Sequence, residues 1–403
     1  MFKLTRWCYL IYAALAALIT ALKGFFYAHL LDEVQYAGVN YYLLILGVGV
    51  LLVSSGVMVR CHTEMPLLAK RATLNQLTDF VRRVKGTGFL YWLVFCVLVP
   101  FAGRVVAIDL SLQTLSAVQV LIFFLFTVDL MLVKSRLDFL GYAKQLFLRN
   151  LVIAVAGFIS AYFTANAVTT VAAEVCCAAL IYYRGLVSFV RGLQIPGFEF
   201  LRQSISYMPV TLVGALLQFV DRLLASSVLG AEEFSRFSYF SLIVMAGLSV
   251  QQLVNTRVIT ILPGICERGG REGYRYVVKI SLVMGAFLLV ALTMGMLLLQ
   301  SPWFAADWLE RDCSLGLAFV FMALVRSVDF YSAYLLVMGR KVLLFKVQFS
   351  VLLLFFIGVI PLKLGFISID LLDFITTMSF GFLVLLLALA ILAWSIRDDV
   401  KSV

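Results

Sequence analysis

The sequence predicts an all-α polytopic membrane protein of about twelve transmembrane helices, arranged as two parallel six-helix bundles with both termini cytoplasmic. Three observations predict it. Of 403 residues, 63% are apolar and only 13% charged, with a mean hydropathy of +1.04; a soluble domain is about 45–50% apolar and about 25% charged. The apolar residues run unbroken, as in 351–360 and 380–394, instead of alternating over segments of about ten as in an outer-membrane barrel. The chain also repeats itself at a fixed offset. A soluble globular fold, disorder, collagen and a disulfide-stapled scaffold are excluded.

A helix needs about 20 mostly apolar residues to cross the hydrocarbon core. On that measure spans fall at 7–28, 39–59, 87–103, 115–133, 150–166, 168–183, 207–228, 237–256, 280–299, 315–338, 347–362 and 374–396. Span 1 follows Lys3 and Arg6. It is too long for a signal-peptide core and lacks a small-x-small cleavage site, so it is read as a retained span. Between spans 2 and 3, residues 60–86 form the largest hydrophilic stretch. There Pro66, Leu67, Leu68, Leu74, Leu77, Phe80 and Val81 recur three to four residues apart beside Arg82 and Arg83. That spacing predicts an amphipathic helix on the inner leaflet, its basic residues meeting anionic lipid; a substrate-docking or regulatory role is the alternative.

The chain carries 32 Lys and Arg against 22 Asp and Glu, a net charge of +10. Almost all the basic residues fall in predicted inner segments; outside are Arg104, Arg236, Arg311 and Lys363, and within spans Lys23, Arg222 and Arg326. The basicity is therefore topogenic, and no nucleic-acid partner is expected. Trp7, Trp92 and Trp394 near inner ends, and Trp303 and Trp308 in the longest outer segment, match the headgroup preference of amphipathic rings. The cysteines form no CxxC, and the only histidines are His29 and His62. No metal or other cofactor is expected.

The repeat pairs Leu31-Asp32-Glu33 with Leu229-Gly230-Ala231-Glu232-Glu233, Tyr41-Tyr42 with Tyr239-Phe240, and Arg60, Pro66 and Arg71 with Arg257, Pro263 and Arg268. Leu140-Gly141-Tyr142-Ala143-Lys144 answers Met338-Gly339-Arg340-Lys341. An even number of spans per copy keeps the copies in one orientation. The expected halves are 1–192 and 207–403, joined by a cytoplasmic linker at 193–206. Two like-oriented bundles are a transporter architecture, with a site between the halves and alternating access.

Charges inside a membrane span cost roughly 2.5–3.5 kcal/mol each on insertion scales, so they are the candidate functional residues. Lys23 either snorkels or lines a polar cavity. Asp221 and Arg222 are adjacent and point about 100° apart, so at least one faces another partner. Arg326 and Asp329, at i and i+3, form either a structural pair or a cavity-lining pair. Asp129 either pairs with Lys134 or acts in function. Glu174, shallow from the outside, either snorkels or acts in function. Gln251, Gln252 and Asn255 make the inner half of span 8 polar, as interhelical hydrogen bonding requires. Lys23, Arg222 and Arg326 suit an anionic ligand such as a phosphate or diphosphate; Asp129, Asp221 and Asp329 are candidates to carry H⁺ or Na⁺.

The acidic-aromatic loop 32–42 and its repeat 231–240, the Arg60…Pro66 and Arg257…Pro263 ends, and the Met338-Gly339-Arg340-Lys341 step resemble the polysaccharide-biosynthesis (O-antigen) flippases of Wzx type. These belong to the multidrug/oligosaccharidyl-lipid/polysaccharide (MOP) exporter superfamily. The resemblance covers essentially the whole chain. It implies a non-enzymatic flippase moving an undecaprenyl-diphosphate-linked oligosaccharide, such as an O-antigen unit for lipopolysaccharide, from the cytoplasmic to the periplasmic leaflet of a bacterial inner membrane. Lys23, Arg222 and Arg326 match by span the family's cavity charges. Other polysaccharide-assembly proteins are candidate partners beside the lipid bilayer. Tyr41, Tyr42, Tyr239 and Phe240 either stack on sugars or anchor at the interface. The competing readings are a MATE-like drug or cation antiporter, and a membrane-embedded polysaccharide polymerase or acyltransferase. An acyltransferase needs a histidine base beside an acid, for which His29 with Asp32 or Glu33 is the sole candidate.

Overall fold

The computed structural model describes residues 2–71, 74–106, 108–302, 304–309, 312–363 and 369–398. Trp303, Arg311 and Lys401 lie outside the described residues, as do the side chains of Lys3, Arg6, Trp7, Arg71, Arg104 and Lys363. The regular structure among the described residues is helical: α1 (Phe2–Leu30), α2 (Glu33–Ser54), α3 (Val57–Arg71), α4 (Leu74–Val106), α5 (Leu110–Ser135), α6 (Phe139–Thr164), α7 (Ala167–Ile181), α8 (Tyr183–Arg191), α9 (Phe198–Val228), α10 (Ala231–Cys266), α11 (Gly270–Leu299), α12 (Cys313–Ser327), α13 (Tyr331–Val337), α14 (Lys341–Lys363) and α15 (Leu371–Ser395).

Ten spans among the described residues are long and apolar enough to cross a membrane, α12 and α13 counting as one. The other two expected spans correspond to α1, apolar over Leu18–Leu30, and α7, which reaches span length only with α8, bent from it by 66°. The chain is thus an all-α polytopic membrane protein.

Many of the helices start on a carboxylate or amide. Asp32 accepts from the Gln35 N–H at 2.7 Å, Asp109 from Ser111 at 3.1 Å, Asn166 from Val168 at 2.9 Å, Asp312 from Ser314 at 2.8 Å and Asp370 from Asp373 at 2.7 Å. All five lie at predicted outer ends. A helix entering from outside exposes its unpaired N–H groups there, and an Asp or Asn cap satisfies them while complementing the dipole. These four outer aspartates are therefore helix starts. The Ser314 hydroxyl and the Ser314 and Leu315 N–H groups hold the Asp312 carboxyl below the usual carboxylate range.

The structure corrects the reading of 60–86. α3 carries the Pro66 segment, but α4 begins at Leu74 and continues unbroken to Val106. Arg82, Arg83 and Lys85 therefore stand on the first turns of a long membrane helix. The two copies of the repeat also differ here. In the first, α2 ends at Ser54 and Gly56 takes φ +71° before α3. In the second, α10 runs through the equivalent position, Leu253, as one 36-residue helix. Glycine enters the left-handed region without penalty and leucine does not.

The chain divides into two compact units, Met1–Phe219 and Val220–Val403, the division falling inside α9. In unit 1, α1 packs on α6, α6 on α7, and α2 and α4 on α5. Trp92 donates to the Ala117 carbonyl at 2.7 Å, tying α4 to α5, and Asn150 of α6 reaches the Ala16 carbonyl on α1 at 3.3 Å. In unit 2, α12 packs against α10, α11 and α15. Phe237, Phe240, Phe319 and Phe374 form its aromatic core. Tyr42, Tyr239 and Phe240 are fully buried, neither interfacial nor open to a sugar. The Tyr239 hydroxyl donates to the Phe304 carbonyl at 2.7 Å.

At Gly56 an added Cβ would run into the Ser204 carbonyl, and the φ is strained for any L-residue. Gly56→Ala is expected to cost more than about 1 kcal/mol; Gly358→Ala, in open space on α14, should be neutral or stabilising. Thermal unfolding of the two purified variants checks this: equal midpoints would refute the assigned strain.

Candidate functional site

Two clusters of embedded charge in unit 1 contain the expected site residues. On α1, the Lys23 ammonium lies 2.5 Å from Glu174 Oε2 on α7 and 5.6 Å from the Tyr27 ring centroid. Lys23 and Tyr27, four residues apart, share a helix face. The Tyr27 hydroxyl donates to Glu174 Oε1, so both carboxylate oxygens are engaged. Glu174 is 1% exposed; it does not snorkel, because a short side chain held by two donors has no path to water. Gly157 of α6 makes room, since a Cβ there would meet both Tyr27 and Glu174.

The second cluster centres on Asp129 of α5. Its Oδ1 lies 2.7 Å from Lys85 Nζ on α4, and its Oδ2 accepts from the Tyr182 hydroxyl at the C-terminus of α7. It does not pair with Lys134. Five residues along a helix is about 140° of rotation, which turns Lys134 to the Tyr142 ring instead.

In unit 2, Arg326 Nη1 on α12 donates to Asp221 Oδ2 on α9 at 2.6 Å, and its guanidinium lies 4.4 Å from the Phe382 ring of α15. The side chains of this pair are at most 4% exposed. Asp221 and Arg222 diverge: Arg222 Nη2 donates to the Ser241 hydroxyl on α10 at 2.8 Å. The expected Arg326–Asp329 pairing is absent. The expected span 315–338 is broken at 328–330, which takes Asp329 off the i+3 line. Its carboxylate instead accepts from the Tyr331 N–H at 3.0 Å, the Ser332 N–H at 3.2 Å and the Ser332 hydroxyl at 2.7 Å, starting α13. Gln251 Nε2 of α10 donates to the Asp329 carbonyl at 2.8 Å. Unwound backbone inside a membrane protein is tolerated where such partners satisfy it.

Arg60, in the sequence an inner basic residue and a marker of the repeat, is buried on α3. It makes a two-pronged pair with Glu64 at 2.5 and 2.9 Å, donates to the Phe200 carbonyl at 3.1 Å and lies 3.8 Å from the Phe200 ring. With Arg83, Gln194, Glu199 and Gln203 it lines a cavity of about 540 Å³. The Cys61 thiol beside it is pushed up to about 12, chiefly by burial.

Lys23 and Asp129 thus belong to unit 1, and Asp221, Arg222, Arg326 and Asp329 to unit 2. Sequence reasoning missed Lys85, Tyr27 and Tyr182 as partners and Arg149 as a buried cation. Only the i,i+4 spacing of Lys23 and Tyr27 could have flagged any of them. His29 and Asp32 are not brought together: His29 Nδ1 bonds to the Phe25 carbonyl, while Asp32 caps α2.

Removing one member of a buried pair leaves an uncompensated charge, at a cost of about 3–5 kcal/mol, whereas an apolar pair of similar volume is often tolerated. Asp221→Asn and Arg326→Met should each reduce the folded protein recovered from membranes, and the double variant Asp221→Leu/Arg326→Met should recover it. Size-exclusion profiles of the three tell; additive losses in the double variant would show that the two residues do not depend on each other.

No family model matches the chain, and no curated protein matches it in sequence. Among solved structures it is similar to the inward-facing conformation of a multidrug resistance MATE family transporter of the MOP superfamily, at 13% identity and a TM-score of 0.61, covering 96% of this chain and 95% of that one. At that identity the likeness speaks to architecture alone: over nearly its whole length the chain shares the fold of that structure.

Proposed function

We propose that this chain is a flippase carrying an undecaprenyl-diphosphate-linked oligosaccharide, an O-antigen or similar repeat unit, from the cytoplasmic to the periplasmic leaflet of a bacterial inner membrane by alternating access. The reading rests on the transporter fold and on one observation about charge. Among the described residues, the buried carboxylates Glu174 and Asp221 and the half-buried Asp129 are each matched to a cation, and Asp329 to backbone N–H groups. A carrier of cationic drugs needs an acid to receive them. The matched acids favour an anionic cargo, met by Arg222 and, when its pair opens, by Lys23 or Arg326.

In this proposal Asp129, Asp221 and Asp329 carry or gate a coupling H⁺ or Na⁺, since each sits where protonation or ion binding would loosen a helix contact. The six-plus-six repeat, 1–192 and 207–403 joined by 193–206, belongs to the same proposal, as do partnerships with other polysaccharide-assembly proteins. The second reading is a MATE-like drug or cation antiporter, favoured by the multidrug transporter with which the fold is shared.

Lipid analysis of cells lacking the protein, with a probe for the leaflet the glycan faces, separates the two. The flippase reading expects undecaprenyl-diphosphate oligosaccharide to accumulate on the cytoplasmic side with surface polysaccharide lost. Normal polymer with raised drug sensitivity would favour the antiporter. Arg222→Ala should cut complementation at least tenfold while the protein is still recovered folded, because the bond it loses to Ser241 is to a neutral hydroxyl.

A further inference from the structure

We infer that the interior of unit 1 holds a second charged site, built around Arg149, that binds a monovalent inorganic anion. It does not rest on the cargo proposed above. Arg149 lies on α6, ten residues after Phe139, and is 5% exposed. An arginine cannot shed its proton in a protein, so this positive charge must be compensated where it sits. The other deeply buried cations are compensated: Arg60 by Glu64, Lys85 by Asp129 and Arg326 by Asp221. Among the described residues Arg149 has neither a carboxylate nor a hydrogen-bond acceptor.

What Arg149 does have is aromatic. Its guanidinium carbon lies 4.2 Å from the Phe123 ring centroid and 4.7 Å from that of Phe126, both on α5. Such contacts use the face of the guanidinium and leave its five N–H donors, which lie in the plane, for an acceptor. A further unmatched donor is the fully buried Tyr42 hydroxyl on α2, which has no hydrogen-bond partner among the described residues and is within electrostatic range of Glu174, whose charge Lys23 already matches, and of Arg149.

These groups set the ligand class. A single guanidinium and a hydroxyl donor balance one negative charge; a phosphate dianion or diphosphate would leave excess charge buried among phenylalanines. A small monovalent anion of the chloride, bromide or nitrate kind fits, and it would tie α6 to α2 and α5.

The test uses the purified full-length chain, titrated with chloride against gluconate at constant ionic strength, with the unfolding midpoint and bound radioactive chloride as readouts. The wild type should show a saturable rise in midpoint and saturable binding. Bromide and nitrate should replace chloride and phosphate should not. Arg149→Gln should abolish both effects, Arg149→Lys should weaken the apparent affinity about tenfold or more, and Arg271→Ala, at an exposed ion pair, should respond as wild type. A wild type indifferent to chloride, an Arg149→Gln protein with the full response, or phosphate acting in place of chloride would each overturn the inference. Should Arg149→Gln fail to fold, Tyr42→Phe and Arg149→Lys decide, and an unchanged half-saturation in both would equally sink it.

Discussion

The cost of a charge in a low-dielectric interior governs this molecule. In lipid the hydrophobic effect does not pull helices together, and association falls to close packing and polar bonds. A buried charge on a span is relieved by a counterpart on another helix, and where it has one the counterpart sets which helices meet and at what register. Lys23–Glu174 ties α1 to α7, Lys85–Asp129 ties α4 to α5, and Arg326–Asp221 ties α9 to α12. Tyrosine hydroxyls from Tyr27 and Tyr182 complete the carboxylates. In the proposed function the same pairs act as switches, a proton, an ion or an anionic ligand competing for one partner.

Interruptions of the helices follow a related economy. Backbone groups released at 328–330 are taken up by the Asp329 carboxylate and by Gln251, so an acid placed in a span serves to break it. At the outer ends four aspartates start helices. The repeat, visible as a constant offset, is broken where Gly56 permits a turn that Leu253 does not. The two segments that match at this offset thereby differ in local structure.

Arg149 marks where counting and placement part company. Its neighbours Lys134, Arg136 and Lys144 made it one more inner basic residue; the three-dimensional arrangement buries it against Phe123 and Phe126. Glu174 read as a shallow acid and is among the most buried. The aromatic pairs opening spans 2 and 8 read as surface features, yet Tyr42, Tyr239 and Phe240 lie inside. In each case the helix that carries the residue is legible in the sequence, but not the direction in which its side chain points.

The sequence by itself determined the helical membrane class, most of the spans and the presence of buried charges. These depend on quantities that add along the chain, such as hydropathy over about 20 residues, the repeat offset and residue type at a given depth. The tertiary structure alone decided the partners: Glu174 for Lys23, Lys85 for Asp129, Asp221 for Arg326, and backbone N–H groups for Asp329. A partner depends on which helices pack and on how each is rotated about its axis. One residue of rotation is about 100°, and no sum along the sequence resolves it.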